Sequence, residues 1–310
     1  MRKIAFISGS RADESPLSGV MQIVLPRLGN NSLHIRSDGL FGHEKDFKEV
    51  LEEFKPDMAV LLGDRYETLV AASVAALLCI PIAHIHGGEE TEGAVDNQFR
   101  HAITKLSYYH FCAHADYAKR IIQMGESPDR VFVTGAPGVD QYAVEPMTQK
   151  EIEAELGIRL IPPVALVCYH PETLGDLHLE CNFSGSTYIV SGANCDPGGE
   201  EINRIMKSLC NGVNSVFRQS YGHLWTSLMH HADVLIGNSS CFIIEGMTLG
   251  KKVINIGDRQ KGRYEDALRH FAADKYAYGK PGEVGPRIAN LLMTLPIPEK
   301  PRKAWHDINF

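Results

Sequence analysis

Three carboxylates in the first third of the chain are placed as the acid–base groups of an active site would be. They are Asp64 in Gly63-Asp64-Arg65, Glu89 in His86-Gly87-Gly88-Glu89, and Asp96, one helical turn ahead of Arg100. They fall at, or just beyond, the C-terminal ends of apolar runs that read as strands, which is where open α/β sheets bind ligands. Carboxyl groups held there can give and take protons during a reaction. Each also has an ordinary alternative: Asp64 and Asp96 as helix caps, Glu89 as a loop carboxylate. His84 and His86 alternate along one run and so share a face, a pairing that suggests a metal. No third ligand stands at a recognisable spacing, and no metal is expected.

The second half carries a different signal. Val234-Leu235-Ile236-Gly237-Asn238-Ser239-Ser240 reads as a buried strand turning through small polar residues into a helix that runs to Leu249. Free backbone N–H groups and the dipole at such a helix start favour an anion, and the Ser239 and Ser240 hydroxyls add donors, so a diphosphate would fit. An Asn/Ser cap that binds nothing is the alternative. Glu245, further along, can reach a ribose hydroxyl pair or simply face solvent. His170 closes another strand in Tyr169-His170-Pro171-Glu172, where it can donate to phosphate, protonate a leaving oxygen, or cap the strand end. Gly9-Ser10-Arg11-Ala12-Asp13 follows the first strand, and Arg11 there offers a bidentate fork to phosphate, though arginine is also common in surface loops. His230 and His231 read as helix-surface residues. The chain has no G-x-G-x-x-G and no P-loop motif.

These residues need elements to hold them. Short apolar runs alternate with helical periodicity throughout, the pattern of βαβ units around mainly parallel sheets. Strands are expected near residues 3–7, 32–35, 57–62, 81–86, 108–113 and 131–134, then near 164–169, 187–190, 213–217, 234–236 and 253–256. Phe47, Val50, Leu51 and Phe54 follow helical spacing on one face. A charged helix from Gln149 ends at Gly157, and Pro162-Pro163 interrupts the pattern, so the expected domains are 1–158 and 159–310. The expected fold is α/β, two Rossmann-like domains facing a cleft.

Bulk properties exclude other classes. At 310 residues with 44% hydrophobic content the chain can build two cores. A net charge of -7 leaves no global basic surface for nucleic acid or an anionic membrane. The seven cysteines are scattered without C-x-x-C spacing, the pattern of reduced core thiols in a cytoplasmic protein. Met-Arg-Lys runs straight into a strand, so no signal peptide is expected. The apolar stretch from Leu69 to Ile82 is interrupted by Ser73 and too short to span a bilayer. It reads as a buried core helix or a subunit interface.

Taken together, GSRAD (9–13), GDRYE (63–67), HIHGGEETEGAVDNQFRHAITKLSYYHF (84–111), YHPETL (169–174), ADVLIGNSSCFIIE (232–245) and NIGDRQKGR (255–263) resemble the hydrolysing UDP-N-acetylglucosamine 2-epimerases of sialic-acid-type biosynthesis. The resemblance implies a glycosyltransferase-B-like fold, a UDP-sugar substrate, no cofactor, and a homo-oligomer, dimer or tetramer. It also implies elimination of UDP to a 2-acetamidoglucal, followed by rehydration to N-acetylmannosamine. By the same resemblance Asp64, Glu89 and Asp96 are acid/base carboxylates and His170 the second-domain histidine. Arg11, Arg100, Ser239, Ser240 and Glu245 fall on nucleotide- and phosphate-contacting positions. The chain departs from the pattern in a short Asp13–Asp57 stretch and a compressed segment after Leu174. Asn97 stands where a second acidic residue is common, and Phe242 where glycine is frequent, so that its ring is expected to crowd the turn above the phosphates. The alternatives are the same chemistry on a 2,4-diacetamido-trideoxyhexose nucleotide, a UDP-sugar transferase, and a nucleotide-sugar-binding relic.

Overall fold

Ile4-Ala5-Phe6-Ile7 and Met58-Ala59-Val60-Leu61 are apolar at every position, a pattern that suits a strand covered on both faces. In the computed structural model, which describes residues 2–9, 11–36, 44–174, 186–194 and 196–308, they are the fully buried strands β1 (Ile4–Ser8) and β3 (Met58–Leu62). With β2 (Ser32–Arg36), β4 (Ile82–Ile85), β5 (Tyr109–Cys112) and β6 (Val131–Val133) they form a parallel sheet of order β2-β1-β3-β4-β5-β6. Strand order reverses between β1 and β3, so the crevice beyond their C-terminal ends is a topological switch point. One face of the sheet is covered by α2 (Glu44–Phe54) and α3 (Tyr66–Leu77), which add Phe47, Leu51, Ala71, Ala72 and Ala75 to a core with Ile7, Ala59 and Leu61. Leu77 of α3 stays 66% exposed.

The second sheet has the order β11-β10-β7-β8-β9, again parallel, from β7 (Val164–Cys168), β8 (Thr187–Ser191), β9 (Ser215–Arg218), β10 (Val234–Gly237) and β11 (Lys252–Asn255). Alternation along β7 divides the core: Leu166 and Cys168 meet Leu224, Leu228, Leu235 and Phe242, while Val167 and Tyr169 meet Val190, Ile202 and Met206. Here the order reverses between β7 and β10. All eleven expected strands are present among the described residues, each within about two residues of its expected bounds.

Helices α1 (Arg11–Leu28), α4 (Asp96–Leu106), α5 (Ala115–Gln123) and α10 (Val284–Thr294) complete the first unit, and α6 (Gln149–Leu156), α7 (Gly199–Leu209), α8 (Leu224–His231) and α9 (Arg263–Ala273) the second. α6 is the charged helix expected before Gly157; Thr148 and Glu151 make its capping box, and Gly157 closes it with φ +74°.

The grouping of the chain differs from a division at 158/159. The first unit comprises Met1–Glu89, Asp96–Gln141 and Tyr278–Phe310; the second comprises Glu90–Val95 and Tyr142–Ala277. The C-terminal segment is fastened within the first unit by polar bonds. The Asp140 carboxylate accepts from the N–H groups of Gly282 and Val284 at the start of α10, at 2.8 and 3.2 Å. Arg287 donates to the Thr134 carbonyl at 3.0 Å, and the Tyr117 and Tyr278 hydroxyls meet at 2.8 Å.

Two further differences are local. Within the expected 240–249 helix, Phe242–Gly246 forms a π turn. His230 and His231 are half-buried rather than surface residues: His231 donates from Nε2 to the Met147 carbonyl at 2.7 Å, and the His230 ring packs against Tyr142. No helix among the described residues is long and apolar enough to cross a membrane.

Candidate functional site

In the first unit one arginine joins the Asp64 carboxylate to the main chain of Glu89. β3 ends at Leu62, and Gly63, with φ of +84°, turns the chain so that Asp64 leaves the strand at the switch point. α4 begins at Asp96 and places Arg100 one turn further on, so the two share a face. The Arg100 guanidinium, only 1% exposed, donates from Nη2 to Asp64 Oδ2. From Nη1 it donates to Asn97 Oδ1 at 2.8 Å and to the Glu89 carbonyl at 2.9 Å. Arg100, matched by resemblance to a phosphate contact, thus ties Asp64, Asn97 and the Glu89 main chain together. Asn97 supplies the acceptor that a carboxylate would supply, without the charge.

Glu89 sits at the end of a rigid turn. His86 has a left-handed φ of +68°, and a Cβ on Gly88 would lie 2.3 Å from the Tyr117 carbonyl oxygen. The turn delivers the Glu89 carboxyl, 1% exposed, to within 2.6 Å of His86 Nδ1. His84, two residues earlier, is a structural group: Nε2 donates to the Gly63 carbonyl at 2.8 Å, and Nδ1 accepts from the Thr104 hydroxyl at 3.2 Å. Burial holds its pKa down at about 3, so it is neutral, and both nitrogens are engaged within the fold.

In the second unit the ends of β7 and β10 lie side by side, Gly237 opposite Cys168. Any side chain at Gly237 would meet the Cys168 carbonyl oxygen at 1.9 Å, so glycine is required for this close approach. Asn238, fully buried, clasps the His170 main chain: Oδ1 accepts from the His170 N–H at 2.7 Å and Nδ2 donates to the His170 carbonyl at 2.9 Å. The Asn194 N–H donates to His170 Nδ1 at 3.1 Å, which leaves the neutral ring with its hydrogen on Nε2. Nε2 lies 3.5 Å from the Cys168 sulfur, a weak acceptor whose thiol burial pushes up to about 11. His170 is therefore fixed as a donor. Ser239 is buried, with its hydroxyl 3.0 Å from Cys241 Sγ, and Ser240 is half-buried at the start of the helix. Glu245 is buried within the π turn, a feature that recurs at functional sites. Phe242 does not crowd the turn; its ring lies in the core, stacked on Trp225 with centroids 6.0 Å apart.

The structure thus brings Asp64, Glu89 and Arg100 together, with Asp96 on the same helix as Arg100, and independently brings His170, Ser239 and Ser240 to the switch point of the second sheet. Arg11 opens α1, and its side chain lies outside the described residues, as does Gly175–His178. Sequence reasoning missed Asn238 and Asn194 as the groups that orient His170, and missed His86 as the partner of Glu89. The three-residue spacing across Gly87-Gly88 was the signal available for the last.

The sequence profile described as UDP-N-acetylglucosamine 2-epimerase matches residues 43–277, well over half of the chain. The chain belongs to the UDP-N-acetylglucosamine 2-epimerase family. Among curated members it is 38% identical over 234 residues to the GDP/UDP-N,N'-diacetylbacillosamine 2-epimerase (hydrolyzing) of Campylobacter jejuni, a match covering 70% of this chain and 60% of that protein. It is 32% identical over 265 residues to the UDP-N,N'-diacetylbacillosamine 2-epimerase (hydrolyzing) of Legionella pneumophila, covering 82% and 69%. The chain thus spans less than two thirds of the length of the Campylobacter relative. Of solved structures, the S. aureus MnaA-UDP co-structure superposes with a TM-score of 0.70 over 94% of this chain and 96% of that one, at 15% identity. That likeness shows a shared fold.

Proposed function

We propose that the chain is a hydrolysing 2-epimerase of a UDP-linked 2-acetamido sugar. The observation that carries this reading is the clustering of Asp64 and Glu89 about Arg100, beside the helix start bearing Asp96, in a member of this family. Loss of a proton from C2 forms the C1=C2 bond of a 2-acetamidoglucal as the C1–O bond breaks and UDP departs with its electron pair. Water then adds at C1, and a proton returns to C2 on the opposite face. One group cannot serve both faces, which is why several acid–base residues are needed. On this reading the N–H groups at the Ser239-Ser240 helix start and the His170 Nε2–H receive the diphosphate, where they favour the negative charge of the leaving group. Glu245 accepts from the ribose hydroxyls.

For the sugar, the names of the Campylobacter and Legionella relatives favour a 2,4-diacetamido-trideoxyhexose. The second reading, UDP-N-acetylglucosamine to N-acetylmannosamine, is favoured by the family description. Incubating the protein in deuterated water with each UDP-sugar separates them. The preferred substrate yields UDP and a free sugar inverted and deuterated at C2 without any acceptor. UDP release that depends on an added acceptor would make the protein a transferase, and intact substrate throughout would sink the reading.

A further inference from the structure

His86 and Glu89 form a buried pair whose geometry has a chemical sense of direction. His86 Nδ1 lies 2.6 Å from Glu89 Oε1, with the carboxyl 1% exposed and the histidine 9%. An ionised carboxylate only accepts hydrogen bonds, so the ring hydrogen sits on Nδ1 and the lone pair on Nε2. Nε2 makes no hydrogen bond among the described residues. His84 is the contrast: on the same strand, both of its nitrogens are engaged by the fold.

The pair is also held in place. The His86 N–H donates to the Phe111 carbonyl at 3.1 Å, while its φ of +68° is a conformation that non-glycine residues rarely adopt. Arg120 donates to the Gly88 carbonyl at 2.8 Å and Arg100 to the Glu89 carbonyl at 2.9 Å, so a cation grips the turn on each side. A Cβ at Gly87 would sit 3.0 Å from the Thr104 hydroxyl, and one at Gly88 would strike the Tyr117 carbonyl, so the turn is packed from below. Strain maintained by this much surrounding structure is how an active-site group is pre-oriented.

We propose that His86 is the base that removes the C2 proton, and that Glu89 is a positioning residue acting through it. The inference rests on the 2-epimerase reading above. The Nε2 lone pair forms the new N–H bond as C2–H breaks; the C2–H electron pair becomes the C1=C2 bond, and the C1–O pair leaves on UDP. The imidazolium keeps its Nδ1–H on the Glu89 carboxylate, which stabilises the charge without taking the proton. Return of a proton to the other face falls to a carboxyl group elsewhere in the cluster, Asp64 or Asp96.

The test uses the full chain and a UDP-2-acetamido sugar that the wild type hydrolyses. His86→Gln is expected to lower kcat for UDP release about 10²–10⁴-fold, with UDP affinity changed by no more than about threefold. Glu89→Gln is expected to lower kcat as well, and the double variant to fall no further than His86→Gln alone, because the two act as one unit. A merely structural role would make the two losses add and would carry UDP affinity down with kcat. In wild-type protein labelled with ¹⁵N-histidine, His86 should show a protonated Nδ1 and a bare Nε2, a tautomer preference lost in Glu89→Gln. That measurement decides the matter if His86→Gln fails to fold; a protonated Nε2 in neutral His86 overturns the proposal. An active wild type with fully active His86→Gln sinks the base assignment alone. A wild type inactive on every UDP-2-acetamido sugar sinks the 2-epimerase reading and the base assignment with it.

Discussion

Arg100 reaches Asp64 from one guanidinium nitrogen while its other terminal nitrogen holds Asn97 and the Glu89 main chain, so one enclosed cation ties together the end of β3, the turn after β4 and the start of α4. A lysine keeps the charge but not the planar fork that makes three connections. Arg100→Lys is expected to fold with reduced stability and a large loss of kcat. Arg100→Met should cost about 3 kcal/mol, at the lower end for breaking a buried pair because the Asp64 carboxylate retains contact with water. Denaturant midpoints of the two variants check this, and wild-type stability in Arg100→Met would refute the bracing role.

Acid should destabilise the first unit through His84. Burial holds its folded-state pKa at about 3, whereas the unfolded chain titrates near 6.5. The unfolded state therefore binds the extra proton first as pH falls, and stability that is full above about 6.5 is lost progressively toward 3, with a limiting slope of about 1.4 kcal/mol per pH unit. His84→Gln can still donate to Gly63 and accept from Thr104, but it cannot titrate. Its stability should fall less steeply between pH 6 and 5 than that of the wild type, on the order of one proton's slope. Parallel stability curves would rule the effect out.

The C-terminal segment should matter for stability. Glu126 is fully buried; burial alone would raise its pKa, but hydrogen bonds from His110, Lys105 and Lys303 outweigh it and hold the carboxyl at about 2. Lys303 pairs with Glu126 at 2.7 Å and donates to the carbonyls of Lys105 and Ser107, the C-terminal end of the helix that starts at Asp96. Lys303→Met is expected to cost about 2–3 kcal/mol, since the remaining partners still neutralise Glu126. Part of that loss should return in Lys303→Met/Glu126→Gln, where no buried charge is left short of a partner. A thermal-melting double-mutant cycle with no coupling would exclude this account.

What could be read from the sequence was whatever depends on local pattern. The apolar runs of β1, β3 and β7 announce strands buried on both faces, and the residues just past them, Asp64 and His170, follow from position alone. Pairings made across many residues were not legible. Lys303 meets Glu126, and Asp140 caps α10, through contacts that no spacing encodes, so the return of the C-terminal segment to the first unit was invisible. Asn238 looked like a helix cap, yet its amide is spent on His170. Strand alternation puts His86 on the face of His84, whereas its left-handed backbone brings it to Glu89 instead.

Phe242 occupies a position where relatives often carry glycine, and the resemblance suggested that its ring would crowd the turn above the phosphates. The ring goes the other way, into the core of the second unit, parallel to Trp225 within 7° and fully enclosed. It stands at the first position of the π turn that carries Glu245, so its packing anchors that turn. Phe242→Ala should therefore act as a cavity mutation and cost about 3–5 kcal/mol. Phe242→Gly should cost more, because glycine adds about 1 kcal/mol of backbone entropy within a helix. At a temperature where the variant remains folded, Phe242→Ala should still bind UDP, since the Ser239 and Ser240 donors precede the substituted position. Calorimetric melting together with UDP titration separates the two effects. A variant of wild-type stability that binds UDP more tightly would mean that the ring crowds the phosphates after all.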